Sequence, residues 1–420
     1  MREGFMAKHI IEEAKRCLQC KAPLCRDRGC PVATEIPTMI KRFLEDRIRD
    51  AGEMLFANNP LSVVCALICP VERLCEGNCV LAKTGNPIQI SSIEHYISFY
   101  YLDKVKNNSR KNTDKKIAII GSGPAGITVA IMLAFDGFDI TIFESEDKVG
   151  GIMRFGIPDY RLPKYLLDKY RDVLLRMGMK IRPNTLIGSV ITLDDLFRDG
   201  YKAVFIGTGV WNPSPLRVKG VSLGHVHYAI NYLKNPDAFD LGKKVAIIGA
   251  GNVAMDVART ALRKLSEDVC IIYRHGPDAM TAEPHEIEYA KVDGARFEFF
   301  RTPVQIVEDG IVLASTTEKV DEAGNITIEK IDGTEELFPA DSIIIAVSQK
   351  PRSNIISTTG GIKTNKFGLV VTDNDGRTTR EGVFASGDVV TGAKTVVEAV
   401  HFSKRGAKTI EAFVQEKYGF

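Results

Sequence analysis

Several features that would place a chain quickly are missing from this one. No charge of one sign dominates: 55 Lys+Arg against 53 Asp+Glu leave a formal net charge of +2, so no global field draws it to nucleic acid or an anionic membrane. No apolar run is long enough for a bilayer; the most apolar early stretch, Leu61 to Val71, falls well short of the ~20 residues a span needs. The opening MREGFMAKHIIEEAKRC lacks the apolar centre of a secretory signal, and a cytoplasmic protein is expected. No short-period repeat or low-complexity tract is visible, which excludes solenoids and arrays. Beyond Cys79 only Cys270 remains, so that long stretch cannot hold a redox-active cysteine pair. Cys270 falls inside a predicted strand and reads as a buried core residue.

What is present divides into three blocks. At 420 residues the chain exceeds one ordinary core and predicts two to four domains. Eight of the nine cysteines lie between Cys17 and Cys79. They form two groups of four, Cys17-x2-Cys20-x4-Cys25-x4-Cys30-Pro31 and Cys65-x3-Cys69-Pro70-x4-Cys75-x3-Cys79. A disulfide scaffold suits a small secreted domain, not a long chain without an export signal. Closely spaced thiolates on loops and helix ends suit 4Fe–4S clusters, and a proline after a cysteine run is a ferredoxin-like habit. Tetrathiolate zinc also uses short spacings and is the competing reading. Helical periodicity is visible in Ile10, Ile11 and Ala14, and again in Ile36, Met39, Ile40, Phe43 and Leu44. The polar stretch Lys106 to Lys116 then reads as a linker.

Beyond it the same pattern occurs twice. A buried strand, Ile117 to Ile120, runs into Gly121-Ser-Gly-Pro-Ala-Gly126, and Val245 to Ile248 runs into Gly249-Ala-Gly-Asn-Val-Ala254. Strand, glycine turn and helix predict an α/β chain with two dinucleotide-binding, Rossmann-like units. In the first, Gly121 permits the turn, Gly123 lets the backbone approach a pyrophosphate, and Gly126 packs helix on strand. Ala125 lies in the helix's first turn, whose free N–H groups favour phosphate. Glu144, at the end of the next strand Phe138 to Phe143, stands where an acid meets ribose hydroxyls. In the second unit Gly249, Gly251, Asn252, Val253 and Asp256 are the candidate nicotinamide-nucleotide residues, and the matching strand ends in Arg274 instead of an acid. A guanidinium binds a 2′-phosphate that a carboxylate would repel, and His275 offers another donor. NADPH is therefore expected over NADH, with NADH still possible.

The segment Gly382-Val-Phe-Ala-Ser-Gly387-Asp388, followed by Lys394-Thr-Val-Val-Glu-Ala-Val400, resembles the closing motif of two-dinucleotide-fold flavoprotein reductases. Ala203-Val-Phe-Ile-Gly-Thr-Gly209 resembles their crossover. The resemblance implies the glutathione-reductase type of fold: a helical cluster domain over 1–112, an FAD domain over 113–215 and 347–420, and an NAD(P)H domain over 216–346. It places Gly209, Gly387, Asp388, Thr395 and Val396 at FAD. The loop Gly150-Gly-Ile-Met-Arg-Phe-Gly-Ile-Pro-Asp-Tyr-Arg-Leu-Pro-Lys164, holding Gly151 and Arg161, and the run Ala254 to Arg263 with Tyr273-Arg274 extend the likeness over nearly the whole chain.

The chain is similar to the glutamate synthase small (beta) subunit family. It is equally similar to the flavin/iron–sulfur half of dihydropyrimidine dehydrogenase and to the large subunit of NADH-dependent ferredoxin:NADP oxidoreductase. The resemblance implies hydride transfer from NADPH to FAD and single-electron steps through two 4Fe–4S clusters to a larger flavin- or cluster-containing partner. No acid–base pair is assigned beyond the flavin. It implies Cys17, Cys20, Cys25 and Cys79 for one cluster and Cys30, Cys69, Cys75 and Glu94 for the other, leaving Cys65 spare. Relatives carry arginine where His275 stands, proline at Thr281 and glycine at Ser348, and the first two departures touch nicotinamide specificity. Rival functions are a dihydropyrimidine dehydrogenase or bifurcating transhydrogenase subunit, a stand-alone reductase of a small acceptor, and a redox-sensing scaffold.

Overall fold

A computed structural model describes residues 2–106, 109, 112–320 and 326–419. Two compact units emerge: Met1–Arg154, Asp159–Val210 and Lys350–Phe420 form one, and Phe155–Pro158 with Trp211–Gln349 the other.

The cysteine-bearing part of the first unit is helical. Helices Ile36–Leu44, Ile48–Asn58 and Ile90–Leu102 bury Ile36, Met39, Ile40, Ala51, Leu55, Ile93 and Ile97 against one another. Helix Arg2–Lys15 adds Ile10 and Ala14 to that core. Ile11 and Leu44 instead face solvent, because residues adjacent in a helix sit about 100° apart and cannot both face one core. No single helix among the described residues is long and apolar enough to cross a membrane, and Ile48–Asn58 bends by 84° into Ser62–Ile68.

The rest of this unit is a parallel sheet ordered Val383–Ala385, Ala203–Ile206, Asn112–Ile120, Phe138–Phe143, Lys180–Arg182. Positions 107, 108, 110 and 111 of the expected linker lie outside the described residues. Asn112 to Lys116, also expected as linker, open the first strand, with a register shift between Asn112 and Lys116. Pairing uses only the backbone, so Thr113 and Asp114 stay exposed while Ile117 to Ile120 are buried. This strand lies between the strand that follows it and a later one, so the order reverses at its carboxyl end, the place where doubly wound sheets take their ligands.

Sheet and helices in this unit are packed together. The Tyr170 hydroxyl, on helix Lys164–Arg176, donates to the Pro60 carbonyl at 2.7 Å. Phe56 meets Phe135 edge-on at 6.2 Å, and Lys169 pairs with Asp103 at 2.6 Å.

The second unit repeats the plan: Val226–Tyr228, Ser342–Ile345, Lys244–Ile248, Asp268–Tyr273 and Arg296–Phe299, all parallel. An antiparallel ribbon, Arg301–Val307 with Gly310–Val320, accompanies it. Helix Asn252–Arg263 is pinned to helix Pro284–Asp293 by Arg259, which reaches Glu286 at 3.1 Å and Asp293 at 2.8 Å. Arg263 pairs with Asp293 as well. The arginines of the Ala254 to Arg263 run thus serve helix packing. Cys270 is buried in its strand, and burial pushes its thiol up to about 12.

Candidate functional site

The first glycine turn is built by close backbone approach. Helix Pro124–Phe135 starts directly after Gly123, with Pro124 in its first turn. A Cβ on Gly126 would lie 1.9 Å from the Gly121 carbonyl oxygen, and one on Gly151 would lie 2.7 Å from the Gly123 Cα. The Gly150-Gly151 loop therefore closes over the turn, and the Gly150 N–H donates to the Ser122 carbonyl at 3.1 Å. Glu144 is buried. Its carboxylate accepts from the Ser122 N–H at 2.8 Å, from the Ser122 hydroxyl, and from the Glu146 N–H at 2.9 Å. Ser122, which the sequence pattern passed over, ties Glu144 to the turn; only its place between Gly121 and Gly123 hints at this. Gly209 takes a left-handed φ of 67°. Arg161 is half-buried.

The closing motif comes to the same place. A Cβ on Gly387 would meet the Ala125 Cβ at 3.0 Å, so Asp388 begins its short helix beside the first turn of Pro124–Phe135. The Asp388 carboxyl accepts from the Lys394 N–H at 3.2 Å, and burial pushes it up to about 7, with Glu398 adding to the rise. Helix Val396–Tyr418 packs along Pro124–Phe135. Its N-cap is Thr395, whose hydroxyl accepts from the Glu398 N–H while the Glu398 carboxylate accepts from the Thr395 N–H. Two helix N-termini, those after Gly123 and Thr395, thus belong to one neighbourhood, suited to an anionic ligand.

The cysteines assemble into two groups. Cys17, Cys20, Cys25 and Cys79 line one pocket with Ile36, Ile40, Ile88 and Ile90. Burial raises the Cys17 thiol. It pushes the Cys25 thiol up to about 11, with the neighbouring Cys79 contributing. In the second group, Cys30 and Cys75 are raised by burial and then by the Glu94 charge. Cys69 is raised by its hydrogen bond with Cys65, by burial, and by Cys65, Glu94 and Cys75. Glu94, on helix Ile90–Leu102, is half-buried, and burial pushes its carboxyl up to about 8. Its charge is felt by Cys30, Cys69 and Cys75, whereas Cys65 acts on Cys69 and Tyr170.

This donor set fits iron–sulfur clusters. Cys69 is raised by Cys65, Glu94 and Cys75, and Cys75 by Glu94, Glu76 and Cys30, an accumulation of acidic groups whose charge bound iron would offset. Among the described residues no three His, Cys, Asp or Glu side chains stand close enough to hold a single ion.

In the second unit Gly249 has a φ of 126°, and a Cβ there would meet the Ala346 carbonyl oxygen at 2.6 Å. A Cβ on Gly251 would come 3.4 Å from the Thr281 hydroxyl. The Asn252 side chain accepts from the Glu283 N–H at 2.8 Å, so that asparagine holds a neighbouring loop. Val253 is half-buried and Asp256 buried. Arg274 is exposed at the end of strand Asp268–Tyr273. His275 pairs with Glu318 at 3.2 Å, a partner on the ribbon 43 residues away that no local pattern announces.

Two glycine-turn parallel sheets, joined in one chain to a helical segment with two cysteine groups, define an oxidoreductase class. The chain belongs to the pyridine nucleotide-disulphide oxidoreductase family, whose model matches residues 115–403, and within it to the glutamate synthase small-chain family. The glutamate synthase (NADPH) small chain of Halomonas elongata is 33% identical over 97% of this chain and 91% of that protein. Residues 1–106 match the model described as dihydropyrimidine dehydrogenase domain II, 4Fe-4S cluster. The NADPH-Fe(3+) oxidoreductase subunit beta of Geobacter sulfurreducens is 32% identical over 93% of this chain, which covers 64% of that protein. In fold, Mycobacterium tuberculosis FprA in complex with NADPH is similar with a TM-score of 0.62 at 17% identity, over 73% of this chain and 86% of that one.

Proposed function

We propose that this chain is an NADPH-oxidising flavin and iron–sulfur subunit that delivers single electrons through two 4Fe–4S clusters to a larger partner subunit. One observation carries the reading: the Cys30, Cys69, Cys75 and Glu94 group is packed on the helices of the flavin unit itself. Tyr170, on the helix after the Gly150 to Lys164 loop, is raised by Cys65 and Glu94 beyond the effect of its own burial. Lys404, on the helix capped by Thr395, donates to Asn58, whose amide holds Thr34 beside Cys30. The second group therefore adjoins the flavin domain and serves as the inner cluster, with Cys17, Cys20, Cys25 and Cys79 as the outer one.

When bound, FAD accepts a hydride from the nicotinamide and the clusters carry electrons singly, so two-electron and one-electron chemistry meet here. The chain's own residues bind and orient. Gly121, Gly123 and Gly126 admit the pyrophosphate to the helix N-terminus, and Glu144 holds the ribose side. Asp388 would hold the ribityl–phosphate segment, and the positive end of the Thr395-capped helix would favour the negative charge that reduction adds to the flavin. In the second unit Gly249 and Gly251 receive the second pyrophosphate, and Arg274 selects the 2′-phosphate. Glu94 is the eighth ligand on the family resemblance, and its burial on helix Ile90–Leu102 among the influences on Cys30, Cys69 and Cys75 is consistent with that place.

The test is composition. Chain purified without oxygen should carry about one FAD and about eight iron atoms, the content of two cubane clusters. About four iron atoms would contradict the two-cluster assignment. Zinc in place of iron would contradict electron transfer through this region.

A further inference from the structure

A hydrogen-bond relay runs from the flavin unit's long helix to the inner cysteine group. Lys404, on helix Val396–Tyr418, donates from Nζ to Asn58 Oδ1 at 2.5 Å. Asn58 closes helix Ile48–Asn58, and its Nδ2 donates to Thr34 Oγ1 at 3.3 Å and to the Val32 carbonyl at 3.1 Å. Thr34, itself buried, has its hydroxyl 3.3 Å from Cys30 Sγ. The backbone N–H groups of Val32 and Thr34 also reach that sulfur.

The directions of these bonds matter. A free Cys30 thiol donates its proton to the Thr34 oxygen. Cys30 bound to iron has lost that proton, and the Asn58 amide already occupies an acceptor site on the hydroxyl, so the Thr34 O–H turns to the sulfur. Every link then donates toward the thiolate, from Lys404 through Asn58 and Thr34. Bonds aligned in this way polarise one another. Hydrogen bonds to cluster sulfurs are among the factors that set reduction potential.

We propose that Thr34, Asn58 and Lys404 are potential-setting residues for the inner cluster, a relay that stabilises its reduced state from the helix whose N-terminus serves the flavin. One-electron reduction adds a negative charge to the cluster, and donors aimed at Cys30 favour that charge and raise the potential. Glu94, an anionic ligand, opposes them. The relay thus keeps a carboxylate-ligated cluster within reach of electrons arriving from the flavin. This rests on the reading of Cys30 as a cluster ligand.

The experiment uses the flavin- and iron-loaded chain, titrated with dithionite and followed by electron paramagnetic resonance, with iron and sulfide counted in each variant. Thr34→Val and Lys404→Gln should keep their iron and move one cluster's midpoint to lower potential while the other stays in place; Thr34→Ser should restore it. Full iron with both midpoints unmoved in Thr34→Val overturns the relay. If Thr34→Val sheds iron, the decision passes to Lys404→Gln and Asn58→Leu, which lie farther from the sulfur, and unmoved midpoints there overturn it equally. Cys30→Ala separates the two layers of the argument: retention of both clusters in that variant overturns the ligand reading and the relay with it, whereas loss of one cluster together with unmoved midpoints elsewhere overturns the relay alone.

Discussion

Gly123 and Gly126, three residues apart in one turn, should respond in opposite directions to the same substitution. Gly126→Ala places a methyl 1.9 Å from the Gly121 carbonyl oxygen and 3.3 Å from the Ile119 side chain. The first contact falls far inside van der Waals distance, and its partner is backbone, so helix and strand must part. Overpacking of this kind costs about 1–3 kcal/mol or more, outweighing the ~1 kcal/mol by which alanine is favoured over glycine in a helix. Gly123 has φ −73° and ψ −172°, which any residue adopts, and its added methyl would find the Gly151 Cα only at 3.9 Å. In the flavin-free protein Gly123→Ala should therefore be neutral or stabilising by about 0.4–1 kcal/mol through the unfolded chain. It should still lose FAD, because the methyl stands where the pyrophosphate meets the backbone. Thermal unfolding of deflavinated protein, beside the flavin-to-protein ratio after reconstitution, gives both answers. Full FAD occupancy in Gly123→Ala, or parental stability in Gly126→Ala, would refute the division of labour between them.

Arg274→Ala should weaken NADPH by about 1.5–3 kcal/mol, the range for a hydrogen bond to a charged group, and leave NADH nearly unchanged; stopped-flow reduction with both cofactors checks this, and equal losses would remove Arg274 from the 2′-phosphate. Asp388, raised to about 7 by burial, keeps its proton in the folded flavin-free protein at pH values where the unfolded chain has released it, so its contribution falls as pH rises from about 4 to about 7. Asp388→Asn should flatten stability over that window and raise it at pH 8; a pH series of unfolding midpoints that still declines as in the parent would contradict the assignment. Glu94→Ala should lose or convert one cluster while Cys65→Ser keeps both, by iron analysis with paramagnetic resonance, and the reverse pair of outcomes would make Cys65 the eighth ligand.

The glycine turns and their strands were legible in the sequence because each is written within a dozen residues, as apolar run and glycine spacing. Cys270 was legible for the same reason, as one position in a buried strand. The inner cysteine group was not. Glu94 reaches Cys30 across 64 positions, and nothing in its helical surroundings distinguishes it from a solvated carboxylate; only the family likeness singled it out. The Thr34, Asn58 and Lys404 relay carries no local signature, because its partners are set by how helices pack; Glu318 meets His275 from the ribbon, 43 positions away, and only the place of Ser122 between two glycines hints at its bond to Glu144. Arg259 and Arg263, part of a run that marks the family, bind carboxylates of a neighbouring helix and contribute packing. The strand begun at Asn112 shows a further limit, since polar residues pair through their backbone as readily as apolar ones.

The central claim, that electrons enter from NADPH at the flavin and leave through the cysteine groups, is tested most directly by rapid mixing of the fully loaded chain with NADPH under anaerobic conditions, with flavin absorbance and frozen-sample paramagnetic resonance read over the same time course. Flavin absorbance should bleach first and cluster spins follow, with Glu94→Ala bleaching normally and losing part of the spin signal. Flavin that stays oxidised while the iron content is full, or spins that rise before any bleaching, would contradict it.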